Sequence, residues 1–239
     1  MKHTYDEEAS TLSDSFLKIT TLFFVGILIL AFTTDGVATG TKEGERAPAL
    51  EGSAYSGNGW SSFDFLEQFD TSWDGNVSND WVMIEFMDTD CPYCVQSAKT
   101  YGEASQIFHD SNPDWNGAQV NFFASATELD INGHDSSRAE IVAFRDKSTG
   151  EECAGADCAS RGGSAHDLVT YIDDLDQDNM DTWDIQGTPT YFLIQPDGIV
   201  AWVSNGGTNV GDFNGDGNEN TIFDAIATLV TRDSTEDGA

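Results

Sequence analysis

Basic side chains are scarce in this sequence: 10 Lys and Arg stand against 42 Asp and Glu, a formal net charge of −32. That shortage excludes partners recognised through phosphates, because nucleic acid and anionic lipid both require clustered Lys and Arg. It fits a surface suited to a salty medium, where a Debye length of ~8 Å or less screens self-repulsion. A long apolar run is also missing. The longest, residues 19–32 (ITTLFFVGILILAF), has 14 residues, against the ~20 that a bilayer span needs. Cysteine is sparse but patterned as two close pairs, Cys91/Cys94 and Cys153/Cys158. An even count in pairs points to disulfides and an oxidising compartment. A four-sulfur zinc site is the competitor. The spacing speaks against it, since the second pair is C-x4-C and no His stands beside either pair at finger-like distance.

What is present suffices for a core: 39% hydrophobic residues and six tryptophans in 239 residues. That length allows one sizeable domain plus extensions. Residues 1–40 read as a cytoplasmic tail, a hydrophobic anchor or signal segment, and the start of a Gly/Thr/charge tether over 35–47. Extended by Phe16, Leu17, Thr33 and Thr34, with Lys18 snorkelling, the apolar run just reaches a spanning length. Alternatively Gly36-Val37-Ala38 offers small residues for cleavage. Either way the domain over 41–233 is expected outside the cytoplasm, membrane-anchored or secreted, with a disordered tail at 234–239.

Residues 81–87 (WVMIEFM) form a near-continuous apolar run, the mark of a strand buried on both faces. The chain then passes Asp88-Thr89-Asp90 into Cys91-Pro92-Tyr93-Cys94, and a helix is expected from there to about His109, with Pro92 in its first turn. Residues 120–124 (VNFFA) read as a second buried strand. Ser137 and Glu140 fit a capping box opening a short helix through Phe144. Residues 190–195 and 199–203, joined by Pro196-Asp197-Gly198, make a hairpin, and a last helix over 221–231 takes Asn220 as its cap. The order implies a sheet covered on both sides.

C-x-x-C between a buried strand and a helix is the strongest chemical signal. Helix-end N–H groups and the macrodipole stabilise a thiolate at Cys91, and Cys94 lies one turn on, in reach to form the disulfide. Asp88 and Asp90 are expected to oppose that thiolate somewhat. A buried structural disulfide is the competing reading. Pro189 enters a strand, where proline is out of place unless specially used. A cis Thr188–Pro189 bond would let the neighbouring backbone pair with an extended peptide beside the sulfur. Glu85 is an acid inside the apolar strand. Burial should raise its pKa and make it a proton acceptor for Cys94, unless it faces solvent at a sheet edge.

These features together resemble the thioredoxin-like superfamily, in particular membrane-tethered thiol–disulfide oxidoreductases of the TlpA/ResA type. The matching residues are Gly44, Ala47-Pro48-Ala49-Leu50, Glu85, the C-x-x-C itself, and the stretch 181–194 through Thr188-Pro189. The resemblance implies a thioredoxin fold: α/β, a central mixed sheet flanked by helices, with an insertion between the active-site helix and the cis-Pro strand. It implies Cys91 as nucleophile, Cys94 as resolving thiol, and Pro189 as the substrate-docking proline, flanked by Thr188, Pro92 and Tyr93. Its implied partners are client proteins bearing disulfides or thiols and a membrane electron-transfer partner, and it favours a reductase. Asp90 stands where the family usually has Trp, and the dipeptide is Pro-Tyr, which leaves the direction of electron flow open. A peroxiredoxin would want Thr and Pro where Asp88 and Ile84 stand, and a copper carrier would want C-x-x-x-C.

The 94 residues between Cys94 and Pro189 exceed what a minimal thioredoxin needs. The excess falls around 131–168, where Cys153 and Cys158 most simply form a local disulfide. A second redox pair is the sharper alternative. In the acidic loop 211–220, Asp212, Asn214, Asp216 and Asn218, with Asp224 beyond, set oxygens at alternate positions, a pattern that suits a structural calcium ion. An ordinary acidic turn explains it equally. No cofactor is required for the chemistry. The rival functions are a calcium-stabilised, non-catalytic binding module on the same fold, and a DsbA-like oxidase or isomerase.

Overall fold

The computed structural model of the protein describes residues 4–33, 36–204 and 221–230, in two units, Met1–Val37 and Ala38–Ala239. The first unit holds helix α1 (Thr4–Thr33), whose Phe16, Leu17, Ile19, Leu22 and Phe23 are exposed. Among the described residues no helix is long and apolar enough to cross a membrane. The anchor expected over 16–34 is not confirmed by this helix, and Thr34 lies outside the described residues. At ~1.5 Å per residue the apolar run falls well short of a ~30 Å hydrocarbon core.

The second unit opens with a small antiparallel pair, β1 (Ser53–Tyr55) and β2 (Trp60–Ser62). The central strand β3 (Trp81–Met87), buried at every position, leads into α2 (Pro92–Ile107) and then β4 (Val120–Thr127). Helix α3 (Arg138–Asp146), a two-stranded ribbon of β5 (Glu152–Cys153) and β6 (Ala156–Asp157), and strand β7 (Val169–Asp174) follow. Helix α4 (Asp178–Thr182), the hairpin β8 (Thr190–Ile194) and β9 (Val200–Val203), and α5 (Ile222–Leu229) complete it. The main sheet has seven strands in the order β2-β1-β7-β4-β3-β8-β9. Strand β3 pairs parallel with β4 and antiparallel with β8, and β7 lies parallel to β4.

Alternation along β3 sorts the core. Trp81, Met83 and Met87 pack on one face with Cys94, Tyr101 and Ile226, while Val82, Ile84 and Phe86 pack on the other with Phe65, Trp183 and Phe192. Glu85 falls between Met83 and Met87, so the pleat aims it at the face that α2 covers. This mixed sheet with helices on both faces, a parallel β3–β4 crossover through α2 and a terminal antiparallel hairpin, is a thioredoxin fold.

Two local expectations are corrected. The tether over 35–47 is in large part not a tether: Arg46 bridges Ile199, and Gly44 and Ala47 donate to Val200 and Gly198 at 2.9 Å each. These bonds cover the free edge of β9. The last helix is capped by Thr221, which with Asp224 forms a reciprocal capping box. Asn220, the acidic loop with Asp212, Asn214, Asp216 and Asn218, and the tail 234–239 lie outside the described residues.

Candidate active site

Cys91 is the N-cap of α2, with Pro92 as the first helical residue. Proline needs no hydrogen bond there, since its missing N–H would be an orphan at that position anyway. The site therefore sits where a buried strand ends and the free N–H groups of a helix begin. Cys91 and Cys94 are both free thiols, Cys91 4% exposed and Cys94 fully buried. The Cys91 sulfur donates to the Thr188 carbonyl at 3.4 Å, and the Thr188–Pro189 bond that follows is cis. The structure thus brings Cys91, Cys94, Thr188 and Pro189 together. Pro92 and Tyr93 lie on the exposed rim, Tyr93 at 70%.

Cys91 is pulled down to about 5, first by its hydrogen bond with the Cys94 thiol, then by the Thr188 side chain and by the backbone N–H groups of Cys94 and Tyr93, with burial opposing. Burial drives Cys94 the other way, far above the ordinary thiol range. One thiol is poised as a thiolate and its neighbour holds the proton. The opposition expected from Asp88 and Asp90 does not dominate. Asp88 is turned into the protein, accepting from the N–H groups of Asp90 at 2.7 Å and Leu129 at 2.9 Å, and burial raises its own pKa to about 6.

Glu85 is 1% exposed and burial lifts its carboxyl to about 8. The Tyr191 hydroxyl donates to it at 3.1 Å, and Ser97 also stabilises its charge. Charge on Cys91 pushes Glu85 up, and charge on Glu85 pushes Cys94 up, so the three groups sense one another. The sequence reading missed Tyr191. Register could have found it, because Glu85 and Tyr191 are direct partners across β3 and β8.

A cleft of about 670 Å³ runs along the far side of the proline segment, lined by Thr41, Trp183, Ile185, Thr188, Pro189 and Phe192 among others. The sulfurs do not line it, so the chemistry belongs to the thiol pair and not to this cleft.

Cys153 and Cys158 are joined by a disulfide closing the β5–β6 ribbon, and both are buried. His166 is a core residue. Its two ring nitrogens are taken by the Tyr171 hydroxyl at 2.7 Å and the Ala98 carbonyl at 2.8 Å, and burial lowers its pKa to about 3. Asp224 is occupied in the cap of α5.

Among solved structures, the chain is similar to a reduced 2-Cys peroxiredoxin from Plasmodium vivax, at 17% identity and a TM-score of 0.46 over 68% of this chain and 84% of that one. It is also similar to the thioredoxin domain of a thiol–disulfide oxidoreductase from Bacteroides vulgatus, at 16% and 0.41 over 67% and 86%. A third is a secreted Mycobacterium tuberculosis disulfide oxidoreductase homologous to E. coli DsbE, at 15% and 0.37 over 62% and 79%. No protein-family model and no curated protein matches the sequence.

Proposed function

We propose that this chain is a thiol–disulfide oxidoreductase that works outside the cytoplasm on disulfides or thiols of client proteins. The observation that carries the reading is the free thiol pair at the start of α2, with the Cys91 sulfur against the Thr188 carbonyl beside cis Pro189. In the reducing direction the Cys91 thiolate attacks a client disulfide. A Cys91–client mixed disulfide forms and one client thiolate leaves. Cys94 then attacks the Cys91 sulfur, the second client thiolate departs, and the Cys91–Cys94 disulfide remains. Glu85 takes the Cys94 proton in that second step. Burial is the main reason the Glu85 pKa is high, and the Cys91 charge adds to it; forming the mixed disulfide removes that added part and eases ionisation of the acid when the proton must move. An extended client segment fits beside Thr188 and Pro189, with Tyr93 on the rim.

A TlpA/ResA-type reductase, supplied with electrons by a membrane partner, is the direction we favour on the sequence resemblance. The depressed Cys91 supports a second reading. A stabilised thiolate favours the dithiol form, as in a DsbA-like oxidant. Export is supported by the apolar stretch 19–32 acting as a signal segment and by the Cys153–Cys158 disulfide. Reduction of a protein disulfide such as insulin's, with a dithiol as electron source, tests the central step. Cys91→Ser should abolish turnover and Cys94→Ser should accumulate the mixed disulfide, while Cys153→Ser/Cys158→Ser should stay active. Full turnover by Cys91→Ser would refute the proposal.

A further inference from the structure

Asp90, His134 and Glu140 converge beside the redox pair although they come from three segments. Asp90 precedes Cys91, His134 follows the 3-10 turn Ile131–Gly133, and Glu140 lies in the first turn of α3. His134 Nδ1 is 2.5 Å from Asp90 Oδ2 and 3.7 Å from Glu140 Oε1, and the three donor atoms lie within 4.8 Å of one another. Two of the three side chains are nearly buried, Asp90 at 6% and Glu140 at 5%, whereas His134 is 45% exposed.

One proton on Nδ1 cannot serve both acids. It goes to Asp90, and Glu140 Oε1 is then buried without a hydrogen-bond partner, aimed at the same imidazole. A carboxylate oxygen in that position costs stability unless something shares it. A divalent cation would satisfy all three donors at once, and we infer that Asp90, His134 and Glu140 form a divalent-cation site of the zinc class.

The geometry suits that class. Two carboxylates and an imidazole are ordinary zinc donors at about 2.0–2.2 Å, which places ligand atoms about 3.4 Å apart in a tetrahedron. The His134–Glu140 separation is already near this. The Asp90–His134 contact must open by under about 1 Å, and the half-exposed His134, next to Gly133 at φ +74°, is the member free to give way. The supporting groups are in place. Asp90 Oδ1 accepts from the Ala154 N–H at 3.1 Å, in the ribbon that the Cys153–Cys158 disulfide closes. Hydrogen bonds from Ser137 steady the Glu140 carboxylate. Such outer contacts orient ligands and leave Asp90 Oδ2 and Glu140 Oε1 for the ion. A bound cation would stitch the segment 131–158 to the residue that opens the active-site turn. This does not depend on the redox reading.

The test uses the full chain carrying Cys91→Ala/Cys94→Ala, so that the thiols cannot ligate zinc and the outcome is independent of disulfide exchange. Calcium in excess occupies hard-ion sites on the acidic surface, and Zn²⁺ is titrated calorimetrically. The inference predicts one saturable Zn²⁺ equivalent per chain, lost on adding Glu140→Gln or His134→Ala and retained with Asp212→Asn. Zinc should also raise the thermal midpoint of the parent and not of those two variants. His134→Ala, at a half-exposed position, keeps the test valid if Glu140→Gln fails to fold. No saturable equivalent, or one unchanged in His134→Ala, overturns the inference.

Discussion

Glu85 shows how one buried residue sets a pH dependence. Its carboxyl stays protonated in the folded chain up to about 8, against an ordinary 4.5. Between those values the folded state holds a proton that the unfolded state has released. Stability is therefore fully present below the lower value and is lost as pH rises, at about 1.4 kcal/mol per pH unit for each such group. Asp88 and Asp174, raised by burial from 3.8 to about 6, add to the loss in the lower part of that window. Cys91 and His166, held below their ordinary values, work in the opposite direction over part of the same range, so the Glu85 contribution is read as a difference: in urea unfolding the parent should lose stability relative to Glu85→Gln as pH rises from 6 to 8. A difference that does not change with pH would mean that Glu85 is not titrating in the fold. The same variant should cut disulfide turnover on the order of a hundredfold, a usual size for losing a general base, without slowing attack by Cys91. Cys91 carries its own prediction. Alkylation of the reduced protein should modify Cys91 alone, with a midpoint near pH 5, and Cys94→Ala should move that midpoint upward by removing the largest stabilising contact. A midpoint above pH 8 in the parent would contradict the assignment.

At the level of elements, helix α2 depends on a glycine for its approach to the segment that follows β4. A Cβ on Gly102 would stand 2.7 Å from His166 Cδ2 and 2.9 Å from Nε2. His166 cannot retreat cheaply, since both ring nitrogens are bonded inside the core. Gly102→Ala gains up to about 1 kcal/mol of helix propensity but overpacks a buried site, which costs about 1–3 kcal/mol. The account expects a net loss in urea unfolding, and a more stable variant would show that the contact is softer than it looks. The elements that carry the thiols were legible from sequence because their signals are local: a doubly buried run for β3, a proline-opened helix for α2, a Pro-Asp-Gly turn for the hairpin. Strands β1 and β2 were not, being three residues each and too short for a period. Strand β7 ends in two acids that read as loop. Asp174 is nevertheless fully buried, accepting from the N–H groups of Asn179 and Met180 and the Ser125 hydroxyl. Of the site, the thiols, Glu85 and the proline were visible as motif. Tyr191 and the Asp90–His134–Glu140 cluster were not, because Tyr191 meets Glu85 only through register and His134 meets Asp90 only through a contact 44 residues apart in sequence.

For the molecule as a whole, charge and chemistry are segregated. Of the few cations, Arg145 and Arg161 are buried, and they are spent largely on backbone carbonyls of the segment beyond α2. The surface is left more one-sided than the net charge of −32 alone conveys. Such a surface steers away anionic partners and favours clients with cationic or neutral faces. Against it stand two cysteine pairs in different states, Cys153–Cys158 closed and Cys91/Cys94 open. The central claim is that only the second pair is redox-active. Equilibration of the folded protein in thiol buffers of defined potential, read by alkylation and mass spectrometry, tests it most directly. The account predicts that Cys91/Cys94 interconvert reversibly between dithiol and disulfide, with a midpoint above the ~−300 mV below which structural disulfides lie, while Cys153–Cys158 stays closed. A Cys91/Cys94 pair that never forms a disulfide, or that resists reduction as the other pair does, would contradict it.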